Sequence, residues 1–270
     1  GDALIDEQST LQNEPMLFSV DQKTVGADGL PVGALRPSWY NSMYFDEIYH
    51  ARTAYEQLNA LKGREPAAIY ETTHPPLGKV LMTLAVSIFG MTPFGWRFAG
   101  ALAGVLMLPG MYLLGRLLTR RRWAGLLAMV LMACDCMHFA QTRIATIDSF
   151  VTLFIIWSTY FMCRYVLMDY YATPFKKTLV PLGLSGLLMG LAIASKWTGV
   201  YAGVGLAVMF FASLYRRVQE GRTARKLLKD EQNEIPITDR IRAAGETWDQ
   251  RAAWTIMWCL LFFVAVPGVI

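Results

Sequence analysis

The order of polar and apolar positions divides the chain into two parts. Residues 1–76 contain no run long enough to cross a membrane, because a spanning helix needs about 20 mostly apolar residues. After an initial stretch punctuated by Gly and Pro, the pattern predicts a helix from about Phe45 to Leu61. Beyond Pro75 and Pro76, the apolar run Leu77–Phe89 is too short to span, so we predict a helix that lies in the membrane interface.

Six longer apolar stretches follow, and each is predicted to form a spanning helix, although the second and the fifth are marginal in length. Small residues recur at four-residue spacing within them, as at Gly186 and Gly190, which is typical of closely packed membrane helices. The pattern therefore predicts an all-α polytopic membrane protein. The expected spans are Phe98–Leu118, Trp123–Phe139, Ile147–Leu167, Leu179–Ser195, Gly199–Leu214 and Ala252–Ile270.

Basic residues are concentrated in alternate loops, around 116–122, 164–177 and 215–251. Cytoplasmic loops carry the excess of Lys and Arg, so these three loops are predicted to be cytoplasmic. Residues 1 to about 95 are then expected on the outer face, together with the short loops around Arg143 and Lys196. We expect an integral protein of the bacterial plasma membrane with this face outside. In a eukaryote it would lie in the endoplasmic reticulum membrane, facing the lumen.

Composition agrees with a membrane protein. The chain is 54% hydrophobic and 17% charged, whereas soluble domains carry about a quarter charged residues. Its net charge of +4 gives no reason to expect nucleic acid as a partner.

The four cysteines lie in apolar runs and are interpreted as small buried hydrophobes. Because the sequence lacks a starting Met and ends within an apolar run, we expect it to be a piece of a longer protein.

The first candidate for chemistry is the acidic pair Asp46 and Glu47 in the stretch YFDEIYH, at the start of the first predicted helix. Two acids at a helix N-terminus can simply offset the helix dipole, an effect worth about 0.3–1 kcal/mol. Alternatively, one carboxylate held at the membrane surface among aromatic residues acts as a general base. The rings of Tyr44 and Phe45 would partly desolvate that carboxylate.

The second candidate is the stretch HPPLGK at 74–79, which leads into the interfacial helix. Its prolines fix an extended backbone and its glycine permits close approach of another segment. A rigid turn with Lys79 reaching the lipid headgroups explains this motif without chemistry. In the functional alternative, His74 lines a substrate pocket.

Three cations lie near the predicted outer ends of spans: Arg97, Arg143 and Lys196. A cation at membrane depth is costly and usually has a partner. Snorkelling toward the interface explains each one singly, and Asp148 is close enough in sequence to neutralise Arg143. If the three cations converge in one outer-face cavity, they form a phosphate site instead.

A metal site is the competing idea, since Asp46, Glu47, His50 and His74 include suitable ligand types. These residues lack Asp-x-Asp or His-x-x-x-His spacing, and oxygen-rich magnesium sites need more carboxylates. We therefore predict no metal and no other cofactor.

Several segments, taken in order, resemble the protein O-mannosyltransferase family. They are FDE at 45–47, HPPLGK at 74–79, Trp96-Arg97 at the start of a span, TRIATIDS at 142–149 and SKWTGV at 195–200. The resemblance covers about residues 40–215 and implies a GT-C fold, a multi-span bundle with its active site in the first outer loop. Family members transfer mannose, with inversion, from polyprenyl-phosphate-mannose to Ser or Thr of proteins and need no obligatory metal. The implied partners are that donor lipid, a protein acceptor and membrane lipids.

The pattern of the chain and the resemblance together predict regions and roles. Residues 1–44 would be an outer-face polar segment, 45–95 an outer-face catalytic loop with interfacial helices, and 96–270 a truncated transmembrane bundle. Asp46 matches the acid that serves as base, and Glu47 matches its neighbour near the acceptor. The donor phosphate would meet Arg97, Lys196 and Arg143, and the substrate pocket would include His74, Tyr44 and Asp148. One departure is Thr72, where family members often have an acid; Glu71 lies one residue further back.

Two rival functions remain open at this point. A relative with the same fold could move an aminosugar or another hexose from a lipid phosphate to a glycolipid or glycan. A transporter or channel is the other alternative, but it predicts charges and broken helices near the bilayer midplane. The charges here lie mostly at the outer ends of the predicted spans, which favours an enzyme at the membrane surface.

Overall fold

The computed structural model describes residues 43, 45–63, 71–230 and 236–269. These described residues form helices joined by short turns and contain no β-strand. Tyr44 and almost all of the predicted segment 1–44 lie outside them. The helices are α1 (Glu47–Leu61), α2 (Leu77–Phe89), α3 (Pro93–Thr119), α4 (Arg122–Ala133), α5 (Cys136–Thr142), α6 (Asp148–Leu167), α7 (Phe175–Ser195), α8 (Gly199–Lys229), α9 (Asp239–Leu260), a π-helical turn (Leu261–Ala265) and α10 (Val266–Val269).

Among the described residues, five helical segments are long and apolar enough to cross a membrane: α3, α6, α7, α8 and the stretch Asp239–Val269. Helices α4 and α5 make a sixth if the pair is counted as one span. This arrangement confirms the prediction of an all-α polytopic membrane protein. The bounds of α2 coincide with the predicted interfacial helix, and α1 begins two residues later than expected.

The chain folds as two compact units. The first contains the described residues up to Leu106 together with Cys134–Phe150, and the second contains Met107–Ala133 and the described residues from Val151 onward. In the first unit, α1 packs on α2, and Thr83 Oγ1 of α2 donates a hydrogen bond of 2.6 Å to Gln57 Oε1 of α1. The resulting core is small and apolar, and its buried members include Ala51, Ala54, Met82, Ala85, Val86 and Trp96.

Helix α2 has an exposed apolar face opposite this core. Val80, Leu84 and Ile88 are all exposed, and their four-residue spacing places them on one side of the helix. An exposed apolar stripe on a short helix is what a helix in the membrane interface presents to lipid. The structure thus gives α2 the amphipathic shape that its sequence predicted.

The predicted span 123–139 is wrong as a single helix, because the chain breaks between α4 and α5. The cause is Asp135, which has an extended backbone and accepts hydrogen bonds from the backbone N–H groups of Met137 and His138. Those two bonds cap the N-terminus of α5 and start a new helix. An Asp inside an apolar run was the sequence signal for this break.

The helix that contains the fifth predicted span, Gly199–Leu214, is longer than that span. Helix α8 continues to Lys229, and α9 begins at Asp239, so most of the basic region 215–251 is helical and α8 packs along α9. Apolar contacts hold this pair beyond the end of the apolar run, since Ala224 and Ala244 are buried in a cluster with Tyr170 and Tyr171.

Small residues let helices of the second unit approach closely, as their spacing predicted. A Cβ atom added to Gly186 of α7 would lie 2.5 Å from the backbone oxygen of Phe262 in the π-helical turn. That distance is too short for any side chain, so only glycine fits there. This contact confirms the close packing expected of glycines in these spans.

Candidate active site

The acidic pair follows a turn at Phe45, whose backbone has an unusual conformation. Phe45 has φ of 56°, in the left-handed region that bulky residues rarely adopt. Asp46 follows as the residue that caps α1, but its side chain makes no capping hydrogen bond. Residues held in such strained conformations often occur at functional sites. The turn is therefore consistent with a site at Asp46.

Glu47 is fully buried and tightly bound. Its carboxylate accepts two hydrogen bonds from Arg97 of α3, from Nε at 2.7 Å and from Nη2 at 2.8 Å. It also accepts a hydrogen bond of 3.0 Å from the backbone N–H of Ala145, just before α6. Two parallel bonds to one guanidinium are the strongest form of a charge pair. Glu47 thus joins α1, α3 and the start of α6; we call Glu47 and Arg97 the acid–arginine clamp.

Asp46 is in a different state from its neighbour. It is only partly buried, and within the described part of the chain its carboxylate forms no hydrogen bond or ion pair. The two adjacent acids therefore differ: the carboxylate of Glu47 is paired with Arg97, whereas that of Asp46 can still accept a proton or a hydrogen bond. Helical spacing explains the difference, because successive residues of a helix point about 100° apart.

The HPPLGK stretch is organised around Lys79, which is buried on α2. Its ammonium group donates to Glu71 Oε2 at 2.6 Å, to the backbone oxygen of Glu71 and to that of His74. Glu71 also accepts hydrogen bonds from the backbone N–H and ring Nδ1 of His74. Burial alone would raise the pKa of Glu71, but the bonds from Lys79 and His74 outweigh it and lower that pKa to about 2.

Two expectations about this stretch change as a result. Lys79 does not reach toward lipid headgroups, because it is inside and paired with Glu71. Thr72 stands where the resemblance led us to expect an acid, and the carboxylate that pairs with Lys79 comes from Glu71, the residue before it. The glycine acts as predicted: a Cβ on Gly78 would lie 2.8 Å from Ile147 Cγ2, so α2 starts in contact with the segment before α6.

His50 of α1 lies beside His74; the sequence suggested it only as a possible metal ligand and not as a catalytic or substrate-binding residue. It is buried, its Nδ1 has no hydrogen-bond partner among the described residues, and its ring lies edge-on to His74 at 6.2 Å between centroids. Burial lowers the pKa of His50 to about 4, although Asp46 and Glu71 act in the opposite direction. The imidazole is therefore neutral at physiological pH. Its position four residues after Asp46 was the available signal.

The other two predicted cations are Arg143 and Lys196. Arg143 follows α5 and is exposed, with its guanidinium 5.4 Å from the ring of Phe139. It forms no ion pair with the described residues, so the suggested pairing with Asp148, at the start of α6, is not formed. Lys196 ends α7 and belongs to the second unit. The convergence of Arg97, Arg143 and Lys196 on one phosphate stays a prediction.

Metal ligands are not gathered at this site. Within the described ranges, no three His, Cys, Asp or Glu side chains lie close enough together to hold a metal ion. The acidic and imidazole groups are instead distributed between the acid–arginine clamp, the Glu71–Lys79 pair and the Asp46 turn.

Comparison with known proteins identifies related sequences. A family model described as dolichyl-phosphate-mannose-protein mannosyltransferase matches residues 73–224. The match begins after α1, so the acidic pair lies before it. No solved structure matches the chain.

Three curated relatives illustrate the similarity. The polyprenol-phosphate-mannose–protein mannosyltransferase of Mycobacterium tuberculosis is 32% identical over 187 residues, which are 63% of this chain and 34% of the relative. That of Mycolicibacterium smegmatis is 29% identical over 182 residues, or 61% and 35%. The dolichyl-phosphate-mannose–protein mannosyltransferase 1 of Saccharomyces cerevisiae is 24% identical over 181 residues, or 61% and 21%.

The aligned part is about a third of the length of the bacterial relatives. Because the family model matches more than half of its residues, the chain belongs to the dolichyl-phosphate-mannose-protein mannosyltransferase family.

Proposed function

We propose that the chain carries the active site of an enzyme that transfers mannose from polyprenyl-phosphate-mannose to Ser or Thr hydroxyls of proteins. The relatives' names supply the donor class and the acceptor class. The site would lie on the outer face of the membrane, because the basic loops are all on the other side of the predicted spans. The reaction would invert the configuration at the sugar carbon.

The observation that carries this proposal is the unequal state of the two adjacent acids. Glu47 is buried and bound by Arg97, whereas Asp46 is partly exposed and makes no hydrogen bond within the described residues. A general base must present a carboxylate that can accept a proton from the incoming hydroxyl. Asp46 meets this requirement and Glu47 does not, so we assign Asp46 as the base.

Glu47 then acts through Arg97. A guanidinium held by two bonds on one edge has a fixed orientation, and the Arg97 side chain keeps 20% of its surface exposed. That exposed part is where the donor phosphate would bind. Pairing with Glu47 reduces the net charge at this point, so Arg143 and Lys196 would supply the remaining positive charge. His74 and Asp148 would line the substrate pocket, and so would Tyr44, which lies outside the described residues.

The proposed chemistry is a single displacement. The acceptor Oγ attacks the sugar carbon while Asp46 takes the hydroxyl proton, and the bond between that carbon and the phosphate oxygen breaks. The electron pair leaves with the phosphate, whose growing charge is stabilised by the cations. With one base on one side of the sugar and one phosphate on the other, a single step inverts the configuration. None of these steps needs a metal.

The test is a transfer assay on the protein reconstituted in lipid nanodiscs. Polyprenyl-phosphate-mannose, polyprenyl-phosphate-glucose and a polyprenyl-phosphate aminosugar are each offered with a Ser/Thr peptide or a glycolipid. We expect mannosylated peptide whose anomeric configuration, read by NMR, is opposite to that of the donor. Transfer of another sugar, or transfer only to the glycolipid, would replace this proposal with the related glycosyltransferase. Retained configuration would contradict the single displacement.

A further inference from the structure

A cavity in the second unit is lined by residues of α6, of α7 and of the loop between them. It has a volume of about 320 Å³ and lies between the last turns of α6 and the first turns of α7. That volume is at the lower end of the range for ligand sites in proteins. Its lining includes Phe161, Arg164, Thr173, Lys177, Val180 and Leu184.

The cavity has a cationic end and an apolar end. Arg164 is in the last turn of α6 and Lys177 is the third residue of α7, so both cations lie where the apolar segments meet the basic loop. Phe161 lies one turn deeper along α6, and Leu184 lies two turns deeper along α7. The lining therefore changes from charged to apolar with depth, as the boundary between lipid headgroups and acyl chains does.

The two cations are not paired with a carboxylate of the described residues. Neither Arg164 nor Lys177 forms an ion pair with a described residue. The acid closest in sequence, Asp169, already accepts hydrogen bonds from Arg240 Nε at 2.9 Å and from the backbone N–H of Ala172 at 3.1 Å.

Further positive charge lies beside the cavity. Arg251 Nη1 donates a hydrogen bond of 3.2 Å to the backbone oxygen of Thr173, one of the lining residues. The N-terminus of α7, with its positive dipole end, is at the same place. Arg164 and Lys177 are both exposed, so their charges are open to an anion that does not come from the described residues.

We propose that this cavity binds an anionic phospholipid of the cytoplasmic leaflet. The phosphate would lie between Arg164 and Lys177, where each cation donates charge-assisted hydrogen bonds to its oxygens. The first part of an acyl chain would lie along Phe161, Val180 and Leu184. The apolar wall favours a lipid over a soluble phosphate, because a free phosphate would leave that wall unused. Headgroup and chain together account for both ends of the cavity.

The test measures lipid binding by native mass spectrometry of the intact chain in detergent. Phosphatidylglycerol is compared with phosphatidylcholine of the same acyl chains. The variant R164Q/K177Q removes both lining cations, and K176Q/K229Q is the matched control because it removes two exposed cations outside the cavity. The charge-conserving variant R164K/K177R keeps the proposed contacts. Circular dichroism and the apparent Tm check that each variant folds.

We expect the wild type to prefer phosphatidylglycerol. R164Q/K177Q should weaken its binding about thirtyfold, equivalent to about 2 kcal/mol at about 1 kcal/mol per cation. The control and the charge-conserving variant should bind like the wild type. Equal losses in R164Q/K177Q and the control would show general charge attraction and overturn the site. Displacement of the lipid by inorganic phosphate at similar concentration would also overturn it, because a soluble anion would then be the ligand.

Discussion

Removing the carboxylate of Glu47 tests whether the acid–arginine clamp holds the first unit together. The substitution Glu47→Gln keeps the size of the side chain but removes its charge. One of the two N–H groups of Arg97 then meets the amide NH2 of glutamine instead of an oxygen. Because both groups are donors, that hydrogen bond is lost. The bond to the backbone N–H of Ala145 depends on the same oxygens.

The expected cost follows from burial and from the number of bonds. Breaking a buried ion pair by removing one partner costs about 3–5 kcal/mol. Glu47 is fully buried, but the Arg97 side chain is 20% exposed. The guanidinium that is left without its partner in Glu47→Gln is therefore still partly hydrated. We therefore expect the lower end of that range, about 3 kcal/mol, for Glu47→Gln. Arg97→Gln should cost more, at the upper end of that range, about 5 kcal/mol, because it leaves Glu47 as a fully buried anion.

A double-mutant cycle separates the pair from its surroundings. The apparent free energy of unfolding of the wild type, both single variants and Glu47→Gln/Arg97→Gln is measured by denaturation in detergent. We expect a coupling of about 2 kcal/mol, since the double variant leaves no unpaired charge. A cycle on Arg52 and Glu56, a partly exposed pair 3.0 Å apart on α1, is the control and should give about 0.3–0.5 kcal/mol. Additive effects of Glu47→Gln and Arg97→Gln, within about 0.5 kcal/mol, would refute the clamp.

Four further predictions follow from the same structure. Arg97→Ala should weaken binding of the donor lipid and Arg97→Lys should restore only part, because Lys lacks the planar fork; unchanged donor affinity in Arg97→Ala would place the phosphate elsewhere. In a background without native cysteines, an impermeant thiol reagent should label Cys at position 62 from outside and miss position 229; the reverse result would invert the topology. Activity should survive EDTA, and loss that a divalent ion restores would contradict metal-free transfer. Because burial lowers the pKa of His50 to about 4, the unfolded chain takes up this proton first as the pH falls below 6.5. The apparent Tm of the wild type should therefore fall more than that of His50→Gln between pH 7 and pH 4, and parallel curves would argue against a buried neutral His50.

The sequence pattern predicted the helix bounds well where the length of an apolar run alone determines them. The bounds of α2, and the ends of α6 and α7, follow from runs that lipid or the interface must accommodate. The prediction failed where a single polar group or a distant contact decides. Asp135 divides one apolar run into α4 and α5 by capping, and α8 continues past Leu214 because α9 covers it.

The candidate site shows the same limit. Helical spacing turns Glu47 by about 100° from Asp46, but that spacing does not say which acid is buried. The partners of Glu47 lie 50 and 98 residues further along the chain, so its burial depends on tertiary packing alone. Glu71, by contrast, lies three residues before His74, and a carboxylate at that spacing could have been recognised as a partner for the turn.

The activity of Asp46→Asn tests the central assignment most directly. Asparagine has nearly the same shape, and the carboxylate it replaces makes no hydrogen bond within the described residues, so the fold and the donor affinity should be kept. The rate of mannose transfer to a Ser/Thr peptide should fall by about 10²–10⁴, the usual contribution of a general base. Circular dichroism and donor binding are measured on the same preparation. A folded Asp46→Asn protein that binds donor and transfers mannose at nearly the wild-type rate would contradict the assignment of Asp46 as the base.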